Sequence, residues 1–131
     1  MKPVMQTTPS NCYAACVASI LECDIDTVPI SGDDWDWDRL QKWLLPRGIQ
    51  LLDIILRDEH PIIYPMQGPS WCILSGPSPR LEGKAHAVVG RTHGLDGFDI
   101  VHDPHEQQSG LVDNKVTHIT FFALCDPAMG K

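Results

Sequence analysis

Four residues in this chain have the types and order that thiol chemistry on an amide bond would need. Cys12 follows a polar, turn-forming stretch, Thr7-Thr8-Pro9-Ser10-Asn11, and opens a run without helix breakers, residues 12–22. A cysteine attacks a carbonyl as its thiolate, and the unpaired N–H groups and dipole of a helix N-terminus stabilise that charge. Cys16 and Cys23 fall deeper in the run or at its end and lack this advantage. A thiolate also needs a base that later protonates the leaving group. His86 is the candidate: Ala85 and Ala87 leave space around its ring, and the strand read there would hold it rigidly. The imidazole needs an acceptor to fix its tautomer. Asp103, just before Pro104, follows a short strand whose hairpin return would set it beside His86. The oxyanion of a tetrahedral intermediate needs donors. Gln6, six residues before Cys12, and the Cys12 backbone N–H are the candidates.

Several elements must position these residues. Ser10 or Asn11 is a suitable N-cap for a first helix. That helix is Ala-rich and apolar on nearly every side, as a buried central helix would be. Residues 23–33 read as an acidic loop punctuated by Pro29 and Gly32. Residues 33–45 read as a second helix, with acids in its first turn, bases later, and Trp37, Leu40 and Leu44 at helical spacing. Pro46-Arg47-Gly48 ends it. Short apolar runs then predict strands over 49–56, 71–74, 85–91, 98–101 and 116–122. Pro61, Pro65, Pro69, Pro77 and Pro79 punctuate the middle of the chain. Helices first and strands second give a single α+β domain over residues 1–131, with the helices packed on an antiparallel sheet.

The chain has 131 residues, long enough to bury a core without staples. Its net charge of −7 is unevenly placed. Residues 22–38 hold seven acids and one segment therefore carries the whole imbalance, because the remaining acids and bases cancel. Nucleic-acid binding and anchoring on anionic lipid both need clustered Lys and Arg, so neither is expected. A basic substrate or partner suits the acidic segment better. No apolar run approaches membrane-spanning length, and the first residues lack the apolar core of a signal peptide. Five cysteines, an odd number at irregular spacing, do not resemble a disulfide framework. The expectation is a cytoplasmic protein with reduced thiols and no cofactor.

The order Gln-x5-Cys at a helix start, then His at a strand start, then Asp after the next strand resembles papain-like cysteine peptidases. Within them the chain looks most like C39-type domains. The residues that carry the likeness are Gln6 to Cys12, His86-Ala87-Val88-Val89 and His102-Asp103-Pro104. The resemblance implies a papain-like fold, with Cys12 as nucleophile, His86 as base, Asp103 as its orienter and Gln6 as oxyanion donor. It also implies hydrolysis of a peptide, protein or other amide-bearing substrate by a small stand-alone domain. Tyr13 departs from the Gly or Trp that many members carry after the nucleophile, and no transporter segment accompanies the domain.

Each residue also has a plainer reading. Cys12 alone would suit helix packing, His86 a hydrogen-bonded core position, and Asp103 a turn before proline. Cys12, Cys16, His102 and His105 together would make a zinc set, although Cys-x3-Cys within an Ala-rich helix is poorly placed for one. Trp35, Ser75 and Arg80 are candidates for the substrate cleft, with Arg80 suited to an anionic group. Deamidation or transamidation would use the same parts. A papain-like binding or inhibitor domain without catalysis is the alternative from another class.

Overall fold

In the computed structural model, which describes residues 1–56, 68–93 and 97–130, the first helix is α1 (Cys12–Leu21). Its residues 14–19 are all buried, as its all-round apolar sequence requires. The second helix, α2, spans Trp37–Leu44, and Leu40 and Leu44 form its buried stripe. Five strands follow: β1 (Ile49–Ile55), β2 (Trp71–Pro77), β3 (Ala85–Thr92), β4 (Phe98–His102) and β5 (His118–Leu124). They form one antiparallel sheet in the order β1-β5-β2-β3-β4. The α+β class and the helices-then-strands order expected from the sequence are present. Among the described residues, no helix is long and apolar enough to cross a membrane.

The second helix starts later than the sequence suggested. It begins at Trp37 rather than at residue 33: Asp36 is its N-cap, and the Asp36 carboxylate accepts from the Arg39 N–H at 3.0 Å. Asp33, Asp34 and Trp35 therefore sit in the preceding loop. Arg39 gathers that loop: it donates to the Pro29 carbonyl at 2.7 Å and to the Asp34 carbonyl at 3.2 Å. Strand β2 runs on through Ser75 and Gly76 to Pro77, because β3 pairs with it over its whole length. Strand β5 begins at His118, two residues after the expected start. Pro61, Pro65 and residues 94–96 of the β3–β4 turn lie outside the described residues.

One layer of core lies between the helices and the sheet, with Val17, Leu40, Leu44, Leu51, Ile73 and Val89 at its centre. A smaller layer on Cys72, Leu74, Val88 and Ile119 is closed by Leu111 from the chain after β4. The Gln41 side chain ties α2 to β1 as a strand would. It donates to the Leu51 carbonyl and accepts from the Leu51 N–H, both at 2.9 Å.

The N-terminal segment clips the two halves of the candidate site together. Buried Ser19 of α1 accepts from the Val4 N–H at 2.9 Å, while the Val4 carbonyl is 2.8 Å from His102 Nε2. Two residues on, the Gln6 N–H donates to the Pro104 carbonyl at 2.9 Å. The helix that carries Cys12 and the strand end that carries Asp103 are thus fastened to the same few residues.

Gly76 lies opposite His86 in the β2–β3 ladder, and a Cβ there would run into the Lys115 backbone carbonyl. Backbone cannot yield as the end of a flexible side chain can. Gly76→Ala is expected to destabilise the fold by about 1–3 kcal/mol. The readout is a lower urea midpoint at unchanged m-value. Gly68→Ala, where a Cβ meets nothing within 4 Å, serves as the control and should change little.

Candidate active site

The β3–β4 ladder ends with Val89 opposite His102, so β3 projects four residues, 85–88, beyond its partner. His86 stands on that projection, and Asp103 is the first residue after β4. The hairpin return read from the sequence brings them together: His86 Nε2 lies 2.7 Å from Asp103 Oδ1. Both side chains are nearly inaccessible, at 3% and 4%. Asp103 accepts two further bonds, from the His105 N–H to Oδ1 at 2.9 Å and from the Gly110 N–H to Oδ2 at 2.7 Å.

These contacts settle the charges. Burial would push the Asp103 carboxyl up, but the N–H of His105, the His86 ring and the N–H of Gly110 outweigh it and hold it below its ordinary range. An ionised carboxylate only accepts, so Nε2 of His86 carries the proton. Burial pulls the His86 pKa down, Asp103 pulls it back up in part, and the charges of Arg80 and His105 add to the lowering. The resting ring is thus neutral near pH 7, with Nδ1 left as a lone-pair base. His105 packs edge-on against it, with ring centroids 6.5 Å apart.

Cys12 is the first residue of α1, as the sequence suggested, and Asn11 occupies the N-cap position. The Asn11 side chain does not cap, however. Its Oδ1 turns back to accept from the Thr7 and Thr8 N–H groups, both at 3.0 Å. The helix start is left without a side-chain cap, its N–H groups uncovered beside the thiol. Even so, the expected thiolate near neutral pH is not the resting state. Burial raises the Cys12 pKa, and the N–H groups of Ala87, Tyr13 and Cys12 itself, with the charge of Arg80, recover only part of that rise. Desolvation outweighs the helix terminus because the sulfur is enclosed between α1 and β3.

Cys12 and His86 line two adjoining cavities. The first, of about 470 Å³, is walled by Tyr13, Trp35, Trp37, Ser75, Asp53 and His118. The second, of about 360 Å³, is walled by Ser10, Asp33, Ser78, Arg80, Lys84 and His105. Together they form a cleft with Cys12 and His86 at its waist. Trp35 and Ser75 therefore lie on one side and Arg80 on the other, as cleft residues. Gln6 does not line either cavity: its Nε2 donates to the Thr8 carbonyl at 3.0 Å, and its Oε1 is enclosed without a partner. The zinc set does not assemble. His102 Nε2 is taken by the Val4 carbonyl, and among the described residues no three His, Cys, Asp or Glu side chains are disposed around a metal position. All five cysteines are free thiols, with Cys16 and Cys72 buried and Cys125 exposed.

Three cleft residues escape a reading of sequence alone. Tyr13 packs edge-on against Trp35 at 4.8 Å between centroids, and its hydroxyl donates to Thr120 Oγ1 at 2.8 Å. Thr120 passes the bond to Asp53 Oδ1, also at 2.8 Å. The one signal was Asp53 itself, a lone acid inside an apolar strand. His118 reaches the cleft from β5, where only the strand order could put it.

Every group facing the Asp103 carboxylate is a donor, so Asp103→Asn sets its NH2 against at least one N–H whichever way the amide turns. The loss expected is about 1–3 kcal/mol, measured by urea denaturation. The wild type is expected to lose stability as pH falls. The folded pKa of His86 lies below its unfolded value of about 6.5, and that of Asp103 below about 3.9, so each contribution is complete above those values and fades beneath them. A melting temperature that rises from pH 7 to pH 4 would contradict these assignments.

No protein-family model, curated protein or solved structure matches this chain.

Proposed function

We propose that this protein is a thiol-dependent hydrolase of amide bonds, with the papain-like arrangement that its sequence resembles. The observation that carries the reading is the buried His86–Asp103 pair, which lines the same cleft as Cys12 at the uncapped start of α1 and leaves Nδ1 without a described partner. Nothing in ordinary core packing calls for a neutral imidazole held by a carboxylate beside a cysteine at a cavity wall.

The neutral pair fixes the order of proton transfers. Cys12 gives its proton to His86 Nδ1 as its sulfur attacks the carbonyl carbon, and Asp103 stabilises the imidazolium that forms. The oxyanion develops beside the N–H groups at the helix start, which act there without reorganising. Gln6 joins them only by releasing the Thr8 carbonyl. The imidazolium protonates the departing amine as the C–N bond breaks, leaving an acyl thioester on Cys12. Water then attacks the thioester while Nδ1 takes its proton, and the acid and the free thiol are released. An amine in place of water would give transamidation; a primary amide as substrate would give deamidation.

On a fluorogenic amide, Cys12→Ala and His86→Ala are each expected to lower kcat/KM by about 10²-fold or more. Iodoacetamide labelling offers an independent readout. The Cys12 rate should climb through the alkaline range rather than level off in mild acid, because the resting thiol is neutral. His86→Ala should slow it several-fold at pH 8, while labelling of exposed Cys125 stays unchanged. Labelling indifferent to His86→Ala, together with absent amide turnover, would overturn the hydrolase and leave a binding domain.

A further inference from the structure

Arg80 lines the second cavity, and among the described residues its guanidinium has no hydrogen-bond or ion-pair partner. Its Nη1 is enclosed from solvent and donates to no described carboxylate or carbonyl, although a buried guanidinium nitrogen ordinarily has an acceptor. Its backbone is fixed. Ser78 Oγ accepts from the Arg80 and Leu81 N–H groups at 3.2 Å, and the Ser78 N–H donates to the Lys84 carbonyl at 2.9 Å. The β2–β3 loop is thus a closed turn between Pro77 and Lys84, and the guanidinium is held at the cleft wall, not swept through solvent. Lys84 lines the same cavity, against the single carboxylate of Asp33. Asp33 forms no ion pair with Arg80, and the Asp103 carboxylate is already occupied by three donors.

The cation also acts on the reacting pair. Its charge lowers the pKa of both Cys12 and His86, so it lies close enough to be felt at each. An anion seated on Arg80 would cancel the part of that field that disfavours the imidazolium, making His86 a stronger base when the site is filled. On the opposite side of Cys12 the cleft offers aromatic walls, Tyr13, Trp35 and Trp37.

We propose that the cleft takes amides that carry a carboxylate within a few bonds of the scissile C–N bond, with the carboxylate bound by Arg80 in the second cavity and an apolar or aromatic group lying across the first. This rests on the hydrolase reading for its reaction but not for its binding. The carboxylate comes either from a chain terminus or from an acidic side chain, since both present the same two oxygens to a guanidinium fork.

Calorimetric titration of the Cys12→Ala protein, which cannot turn over, tests the binding alone. The probes are N-benzoylglycine and its primary amide, which match the bipartite cleft and differ only in charge. The acid is expected to bind about tenfold more tightly, the difference to vanish in Arg80→Gln and to survive in part in Arg80→Lys. A benzoylglutamate with its α-carboxyl amidated distinguishes the sources: either ranking against N-benzoylglycine supports the site and fixes its reach. Equal affinity for acid and amide, no binding of the acid, or a preference that persists in Arg80→Gln would overturn the proposal. Wild-type protein that hydrolyses neutral and acidic amides alike would overturn it too, with the hydrolase left standing.

Discussion

The Asp103 carboxylate is the constraint on which the rest of the arrangement depends. It is nearly inaccessible and bears a charge, and three donors from three parts of the chain hold it: the His86 ring on β3, the His105 N–H and the Gly110 N–H. A buried charge is tolerated only when its lone pairs are filled. Any shift of β4 against β3, or of the chain between 104 and 110, would empty one of them. The carboxylate therefore sets the tautomer of His86 and folds the chain after β4 in one stroke. The N-terminal segment completes the arrangement by bonding to His102 and Pro104 on one side and to Ser19 on the other.

Burial has opposite consequences for the two reacting groups. It takes the thiol away from its anion and the imidazole away from its cation, so the two ions disfavoured singly are the pair formed together on proton transfer. A neutral resting pair holds little thiolate at neutral pH. It also leaves Cys12 a poorer target for alkylation than the exposed Cys125. In the proposed reaction the uncapped helix start, the Ala87 N–H and Arg80 supply fixed dipoles and charge where the anion develops, which is where they are most effective.

The parts of this site that were legible in sequence were those set by local rules. A polar cap before an Ala-rich run marked Cys12 as the first helical residue, and hairpin geometry alone placed Asp103 against His86. Where competing bonds decided the outcome, local rules failed. Asn11 has the right side chain for a cap yet spends it on Thr7 and Thr8, and α2 begins only after its Asp36 cap rather than at residue 33, where the acidic run starts. Gln6 has the spacing of an oxyanion donor, but its amide finds the Thr8 carbonyl closer. Residues that meet through strand order alone, such as Asp53 with Thr120 and His118 with Ser75, carry no local signal, because order in a sheet is set by packing of the whole domain.

The charge of the chain divides in a way that composition hides. All seven acids of residues 22–38 are exposed, and several are locally engaged: Glu22 with the N-terminal amine, Asp34 with Arg39, Asp38 with Lys42, and Asp36 as a helix cap. Exposed pairs of this kind add little stability, and their field is screened within about 8 Å at physiological salt. Arg80 is the reverse case, a half-buried cation with an enclosed Nη1 at the cavity wall, where its field is screened less than that of the exposed acids. A net charge of −7 and an anion-binding cleft are therefore compatible in one molecule. In the proposed hydrolase the acids disfavour molecules with excess negative charge, and the enclosed cation sets which end of a ligand enters. A ligand that satisfies both carries its carboxylate on a small terminus and its neutral or basic bulk behind it, so the acidic rim and the cationic pocket select different portions of one molecule.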